Sequence, residues 1–135
     1  MDKIGFISEI IQMFYFKTIS DTHGNEYVIF SNSTLDSAEN IEDKTMFESV
    51  ENHIHILDNI KKRDVKTIDD IGEKIGRLLL DRLKFCYPQK KFYVFVTYEL
   101  NDSLIIRFHQ DWSGEEPYYD PTDYSENGKR FSFYG

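Results

Sequence analysis

Cysteine is almost missing from this chain: Cys86 is the only one in 135 residues. No intramolecular disulfide can form, so the fold gains nothing from an oxidising compartment and the chain is expected to be cytoplasmic. Long apolar runs are absent too. No segment approaches the roughly 18 uninterrupted apolar residues of a membrane span, and MDKIGFISEIIQMF at the N-terminus carries acids inside its apolar stretch and no small-residue cleavage site. Neither a signal peptide nor a membrane helix is expected. GxSxG, the P-loop, GxGxxG, HExxH and CxxC are all missing, which removes the common hydrolase, nucleotide and zinc signatures, and no cofactor is expected. Positive charge is also short, with 24 acids against 16 bases and a net charge of −8. Such a balance opposes binding to phosphate backbones and acidic membranes and favours a basic partner, so no nucleic acid and no membrane are expected among the partners.

What is present is one domain's worth of core: 40% hydrophobic and 16% aromatic residues, enough at this length to fold without staples, as a single domain over 1–135. Charge is unevenly spread, with residues 1–60 at −8, 61–91 at +5 and 92–135 at −5. Ile4, Ile7, Ile10, Ile11 and Phe14 share a helical stripe that runs into the strand-like FYFKTIS. His23-Gly24-Asn25 then separates that run from EYVIF, a hairpin signal. Residues 31–48 are polar and turn-rich and predict a loop or one short helix, whereas Val50 to Ile60 alternates as a half-buried strand.

The clearest element predicted is an amphipathic helix from about Thr67 to Pro88, capped by Thr67 or Asp69, with Ile71, Ile75, Leu78, Leu79, Leu83 and Cys86 on its apolar stripe. Gly72 and Gly76 sit four apart within it. Each costs about 1 kcal/mol against Ala in a helix, so a close neighbour, by default a sheet face, is expected there. KKFYVFVTYEL and LIIRFHQDW flank Asn101-Asp102-Ser103 as a second hairpin. The expected architecture is α+β: a mainly antiparallel sheet with a long amphipathic helix packed on one face, in the order α-β-β-loop-β-α-β-β.

Few constellations carry chemistry. His53 and His55, two apart on a strand, share a face and with His109 or Asp111 have the ligand types of a divalent metal, although a histidine pair on a strand's polar face is ordinarily plain surface. His109 with Asp111 has the makings of a general base and its orienting carboxylate. The one nucleophile to pair with it, Cys86, ends an apolar stripe, where a lone cysteine normally behaves as a small buried hydrophobe. Lys61-Lys62-Arg63 is short, broken by Asp64 and without aromatics, which fits a solvated turn better than nucleic-acid binding.

The most distinctive segment is DWSGEEPYYDPTDYSE, residues 111–126, with six acids, four aromatics and no Lys or Arg. Carboxylates beside amphipathic rings suit a surface that meets a basic protein, and Asp111, Trp112, Glu115, Glu116, Tyr118, Tyr119, Asp120, Asp123 and Tyr124 are the residues expected to contact such a partner. The run Arg107-Phe108-His109-Gln110, then Trp112, then Glu116-Pro117-Tyr118-Tyr119-Asp120, resembles the ending of small bacterial immunity proteins paired with contact-dependent-inhibition and related polymorphic toxins. The resemblance covers the last third of the chain. It implies a cytoplasmic, non-enzymatic protein that binds and neutralises one cognate toxin domain, with a basic nuclease the type that the acidity suits. The alternatives are a small metal-dependent or acid–base enzyme using His53, His55 and His109, or another regulatory protein-binding module. Oligomeric state is not specified by these patterns.

Overall fold

Asp21 shapes the first turn. Its carboxylate accepts the backbone N–H groups of His23 (2.9 Å) and Asn25 (3.0 Å), the Asn25 amide and the Tyr27 hydroxyl. Gly24 supplies the positive φ the turn requires. The expected hairpin follows: β1 (Phe16–Ser20) pairs antiparallel with β2 (Glu26–Phe30), Phe16 opposite Phe30 and Ser20 opposite Glu26. The computed structural model describes residues 3–120 and 128–135. Ahead of the hairpin, α1 (Lys3–Gln12) forms as its periodicity predicts, yet of the expected stripe only Ile10 and Phe14 reach the core, beside the fully buried Met13, while Ile4, Ile7 and Ile11 remain exposed.

The polar stretch after β2 yields one short helix, α2 (Lys44–Glu51), which takes the first residues of the run read as a strand and leaves β3 as His53–Leu57. In β3, Ile54 and Ile56 are buried and His53 and His55 exposed. A 3-10 turn at Lys62–Asp64 leads into α3 (Val65–Cys86), then β4 (Phe92–Glu99), β5 (Leu104–Gln110) and β6 (Gly128–Tyr134). The second sheet has the order β3-β5-β4-β6, all antiparallel, so the aromatic hairpin β4–β5 lies at its centre as expected. The result is an α+β domain with α3 across one sheet face.

Three details of α3 depart from the sequence reading. It starts two residues before Thr67, and neither Thr67 nor Asp69 caps it; Asp64 stands at the N-cap without a side-chain bond. Asp69 instead accepts from the Tyr98 hydroxyl at 2.9 Å and pairs ionically with Lys129 at 3.6 Å, tying the helix to the sheet. The buried stripe is Ile68, Gly72, Gly76, Leu79, Leu80 and Leu83, rotated from the one expected, so Leu78 and Cys86 are exposed. The rotation is forced by β6, a strand missing from the expected order. Phe131 and Phe133 of β6 lie opposite Val96 and Val94 and fill the space over the two glycines, where a Cβ on Gly72 would sit 3.0 Å from the Phe131 ring and one on Gly76 would overlap the Phe133 ring.

The main core lies between α3 and the inner faces of β3, β5, β4 and β6 and continues through Phe30 and Phe16 of the hairpin, whose rings pack on Phe108 at 5.0 and 5.6 Å. A second, smaller cluster covers the other hairpin face: Ile19, Tyr27, Ile29 and Ala38, with Leu35, Ile41, Phe47 and Trp112 against them. Replacing Gly76 by Ala removes a helix-propensity deficit of about 1 kcal/mol but overpacks the Phe133 contact at about 1–3 kcal/mol. Urea denaturation should show Gly76→Ala less stable than wild type and Gly72→Ala closer to neutral. A stabilised Gly76→Ala would show that the ring yields freely.

Candidate functional site

Helix α2 carries a polar stripe, Thr45, Glu48, Ser49 and Asn52, at helical spacing. These residues are buried, while Met46 and Val50 face solvent. The inversion has a cause. The outward edge of β2 and the end of β5 past its pairing with β3 both leave backbone groups to be satisfied, and α2 satisfies them. Glu48 Oε2 accepts from Val28 N (2.9 Å) and the Gln110 side-chain amide (2.9 Å); Oε1 accepts from Gln110 N (2.8 Å) and the Trp112 indole (2.7 Å). One turn on, the Asn52 side chain accepts from Phe30 N (3.2 Å) and donates to Val28 O (2.8 Å), and its carbonyl accepts from Phe108 N (3.2 Å). Two side chains thus stand where a connecting strand would.

Glu48 is fully buried, and desolvation pushes its carboxyl up to about 7 against the four donors that favour the charged form.

The acidic aromatic segment is built onto this frame. Trp112 is half-buried, its ring 5.3 Å from Tyr27 and its N–H on Glu48. Glu115 is half-buried and accepts from Lys44 N (3.2 Å) and Thr45 N (2.7 Å), serving the N-terminus of α2 beside the N-cap Asp43, which accepts from Met46 N. Burial pushes the Glu115 carboxyl up, but the bonds from Thr45 and Lys44 and the Lys44 charge outweigh it and hold it below its ordinary value. Tyr119 packs edge-on against Phe95 at 5.2 Å and under the Arg130 guanidinium at 3.9 Å, and Tyr118 lies 4.8 Å from Arg107. Trp112, Glu115, Tyr118 and Tyr119, expected to contact a partner, are thus partly buried and engaged within the chain itself. Their rings and carboxylate hold the segment to its own helix and sheet, because the outer sheet face offers them Phe95, Arg107 and Arg130. Asp111, Glu116 and Asp120 are exposed, with Asp111 accepting from the Tyr134 hydroxyl at 2.7 Å. Asp123 and Tyr124 lie outside the described residues.

The histidines do not converge. His53 and His55 share an exposed face with rings 5.6 Å apart; His53 Nδ1 donates to Val50 O and His55 lies 4.0 Å from Asp58. His109 is buried, its Nδ1–H donating to Gln110 O (2.7 Å) and its Nε2 accepting from Tyr118 N (3.1 Å). Burial lowers its pKa, so it is neutral and both nitrogens are committed to backbone. Asp111 is bonded to Tyr134 rather than orienting His109. Among the described residues, no group of three or more His, Cys, Asp or Glu side chains is arranged to hold a metal ion.

Between the N-terminus of α2 and the segment lies an open cleft of about 470 Å³, lined by Glu42, Asp43, Thr45, Met46, Glu115, Glu116, Pro117 and Tyr118. Four carboxylates rim it, and Met46, Pro117 and Tyr118 supply apolar surface. Glu42, Asp43 and Met46 were not singled out in the sequence, since the cleft forms only when two segments about 70 residues apart meet. No helix among the described residues is long and apolar enough to cross a membrane. No protein-family model matches the chain, and no curated protein or solved structure shows significant similarity to it.

The raised carboxyl of Glu48 makes stability pH-dependent with a definite sign. The folded chain holds this proton more tightly than the unfolded chain, so the contribution is full below about 4.5 and lost as pH rises through about 7. Across that window the loss is on the order of 3 kcal/mol. Glu48→Gln sets an amide nitrogen against N–H donors, which costs about 2–4 kcal/mol at pH 5, and it removes the slope, so the gap to wild type should narrow towards pH 8. Urea titrations at pH 5, 6, 7 and 8 check both statements; parallel pH profiles would contradict them.

Proposed function

We propose that this protein is a non-enzymatic, immunity-type inhibitor that binds a basic partner domain through the acidic cleft between α2 and residues 111–120. The observation that carries the reading is the cleft itself. Carboxylates of Glu42, Asp43, Glu115 and Glu116 surround apolar surface from Met46 and Tyr118, an arrangement that accepts an Arg or Lys side chain along its stem as well as at its charged head. Glu115 and Asp43 are held in place by α2, so the cleft is preorganised and little entropy is lost on docking. The net charge of −8 adds long-range attraction for a partner with a positive cleft of its own, as a nuclease has. The resemblance of residues 107–120 to the ending of toxin-immunity proteins supports the same reading, with the cytoplasm as the place where such a protein acts.

The test is coexpression with the product of the gene immediately upstream. A stable one-to-one complex and restored growth are expected, and no binding to that product would end the proposal. The charge-reversed variant Glu42→Lys/Glu116→Lys spares the α2 cap and should keep the fold by circular dichroism. Its association rate should drop about tenfold or more in low salt, with the salt dependence largely lost, because exposed acids steer encounter while contributing little to stability. An unchanged association rate would place the interface elsewhere on the chain.

A further inference from the structure

Among the described residues Glu48 is the one carboxylate that joins β2, β5 and the 111–120 segment at once, and all four of its acceptor positions are filled. A proton on either oxygen turns an acceptor into a donor, so one of the four N–H groups must leave. The four are not equal. Val28 N and Gln110 N are backbone groups held in strands and cannot turn away. The Gln110 amide also donates to Glu26 O at 2.9 Å and belongs to a buried residue, so flipping it would break that bond as well and leave its nitrogen without an acceptor. Trp112 sits on a loop and is half-buried, so its indole N–H can pass to water.

We propose that Glu48 is a proton-operated latch: on taking up a proton it releases the Trp112 indole and so loosens the 111–120 segment from α2. The inference stands on these contacts and does not require the partner reading above.

The surrounding ionisable groups leave Glu48 as the group that drives the change. On β2, the Tyr27 phenol is raised by burial and by its bond to Asp21, so it stays protonated. On β5, His109 is buried and its pKa lowered, and the Arg107 guanidinium donates to Ser49 O. In the segment, Glu115 is held ionised by the α2 N-terminus and Asp111 is bonded to Tyr134. On α2, Lys44 pairs with Glu115 at 3.5 Å and lies over the Trp112 ring at 5.6 Å, Asp43 caps the helix, and Glu51 accepts from Ser33. Desolvation of Glu48 brings its proton uptake to about pH 7.

Trp112 is the only tryptophan, so its indole reports without labelling a second site. The experiment follows the Glu48 side-chain carboxyl carbon and the Trp112 indole N–H by NMR in the intact chain from pH 8.5 to 5. Both signals are expected to titrate together with a midpoint near 7. Exchange of the indole proton with water, corrected for its intrinsic pH dependence, should quicken roughly ten- to a hundredfold below the midpoint, as loss of a hydrogen bond to a charged acceptor implies. A Glu48 carboxyl that titrates while the indole keeps its shift and protection would overturn the latch, as would a carboxyl still ionised at pH 5. In Glu48→Gln, whose side chain does not titrate, the indole signal and its corrected exchange rate should show no midpoint between pH 8.5 and 5. Should that variant not fold, the two wild-type titrations decide alone, and His109→Gln should leave the indole midpoint in place.

Discussion

The whole arrangement hangs on two polar side chains one helical turn apart. Glu48 and Asn52 reach from α2 into the gap between β2 and β5 and take up strand-edge groups on both sides. Without them the two-stranded hairpin would present an unpaired edge to the interior, and an unsatisfied buried backbone group costs about 1–3 kcal/mol. Hydrophobic contact among Phe16, Phe30 and Phe108 is non-directional and by itself does not fix the register. The hydrogen bonds specify which residue of β2 meets which residue of β5, and they do so with a carboxylate that burial itself makes hard to keep charged.

That frame changes the meaning of the acidic segment. The aromatic residues described in it supply intramolecular area: Trp112 closes the second cluster over Tyr27, and Tyr119 lies between Phe95 and Arg130 on the outer sheet face. Its described acids divide into two kinds. Glu115 is spent on the N-terminus of α2, where a helix leaves N–H groups unpaired, whereas Glu116 faces solvent and, with Glu42, lends the cleft its accessible charge. A surface that combines fixed and free carboxylates is better preorganised than a loose acidic tail, and its geometry is inherited from the fold rather than from the segment alone.

The same division bears on the histidines. His109 looks like a base when read beside Asp111, but its ring is used as a two-sided bracket between Gln110 O and Tyr118 N. It fixes the turn that sends the chain back across the sheet, a positioning task that needs one neutral tautomer and a dry site.

Much of the architecture is written in local patterns. Alternation and turn residues are enough to identify both hairpins, Gly72 and Gly76 announce a close neighbour, and the isoleucines of β3 declare its buried face, because each of these depends only on the backbone period and on side chains a few residues away. Three features are not written that way. The polar stripe of α2 reads as a solvent face, since only the approach of β2 and β5 makes burying a glutamate favourable. The stripe of α3 is rotated by Phe131 and Phe133 of a strand about 55 residues further on, which also leaves Cys86 in solvent. The acidic cleft joins residues 42–46 to residues 115–118, and no local pattern encodes a meeting across that distance. The sequence by itself determined the α+β class, both hairpins and the long helix, and the acidic character of the surface. Only the tertiary structure decided which carboxylates are spent inside the fold and which stay outside, because a carboxylate's role is set by the donors brought to it.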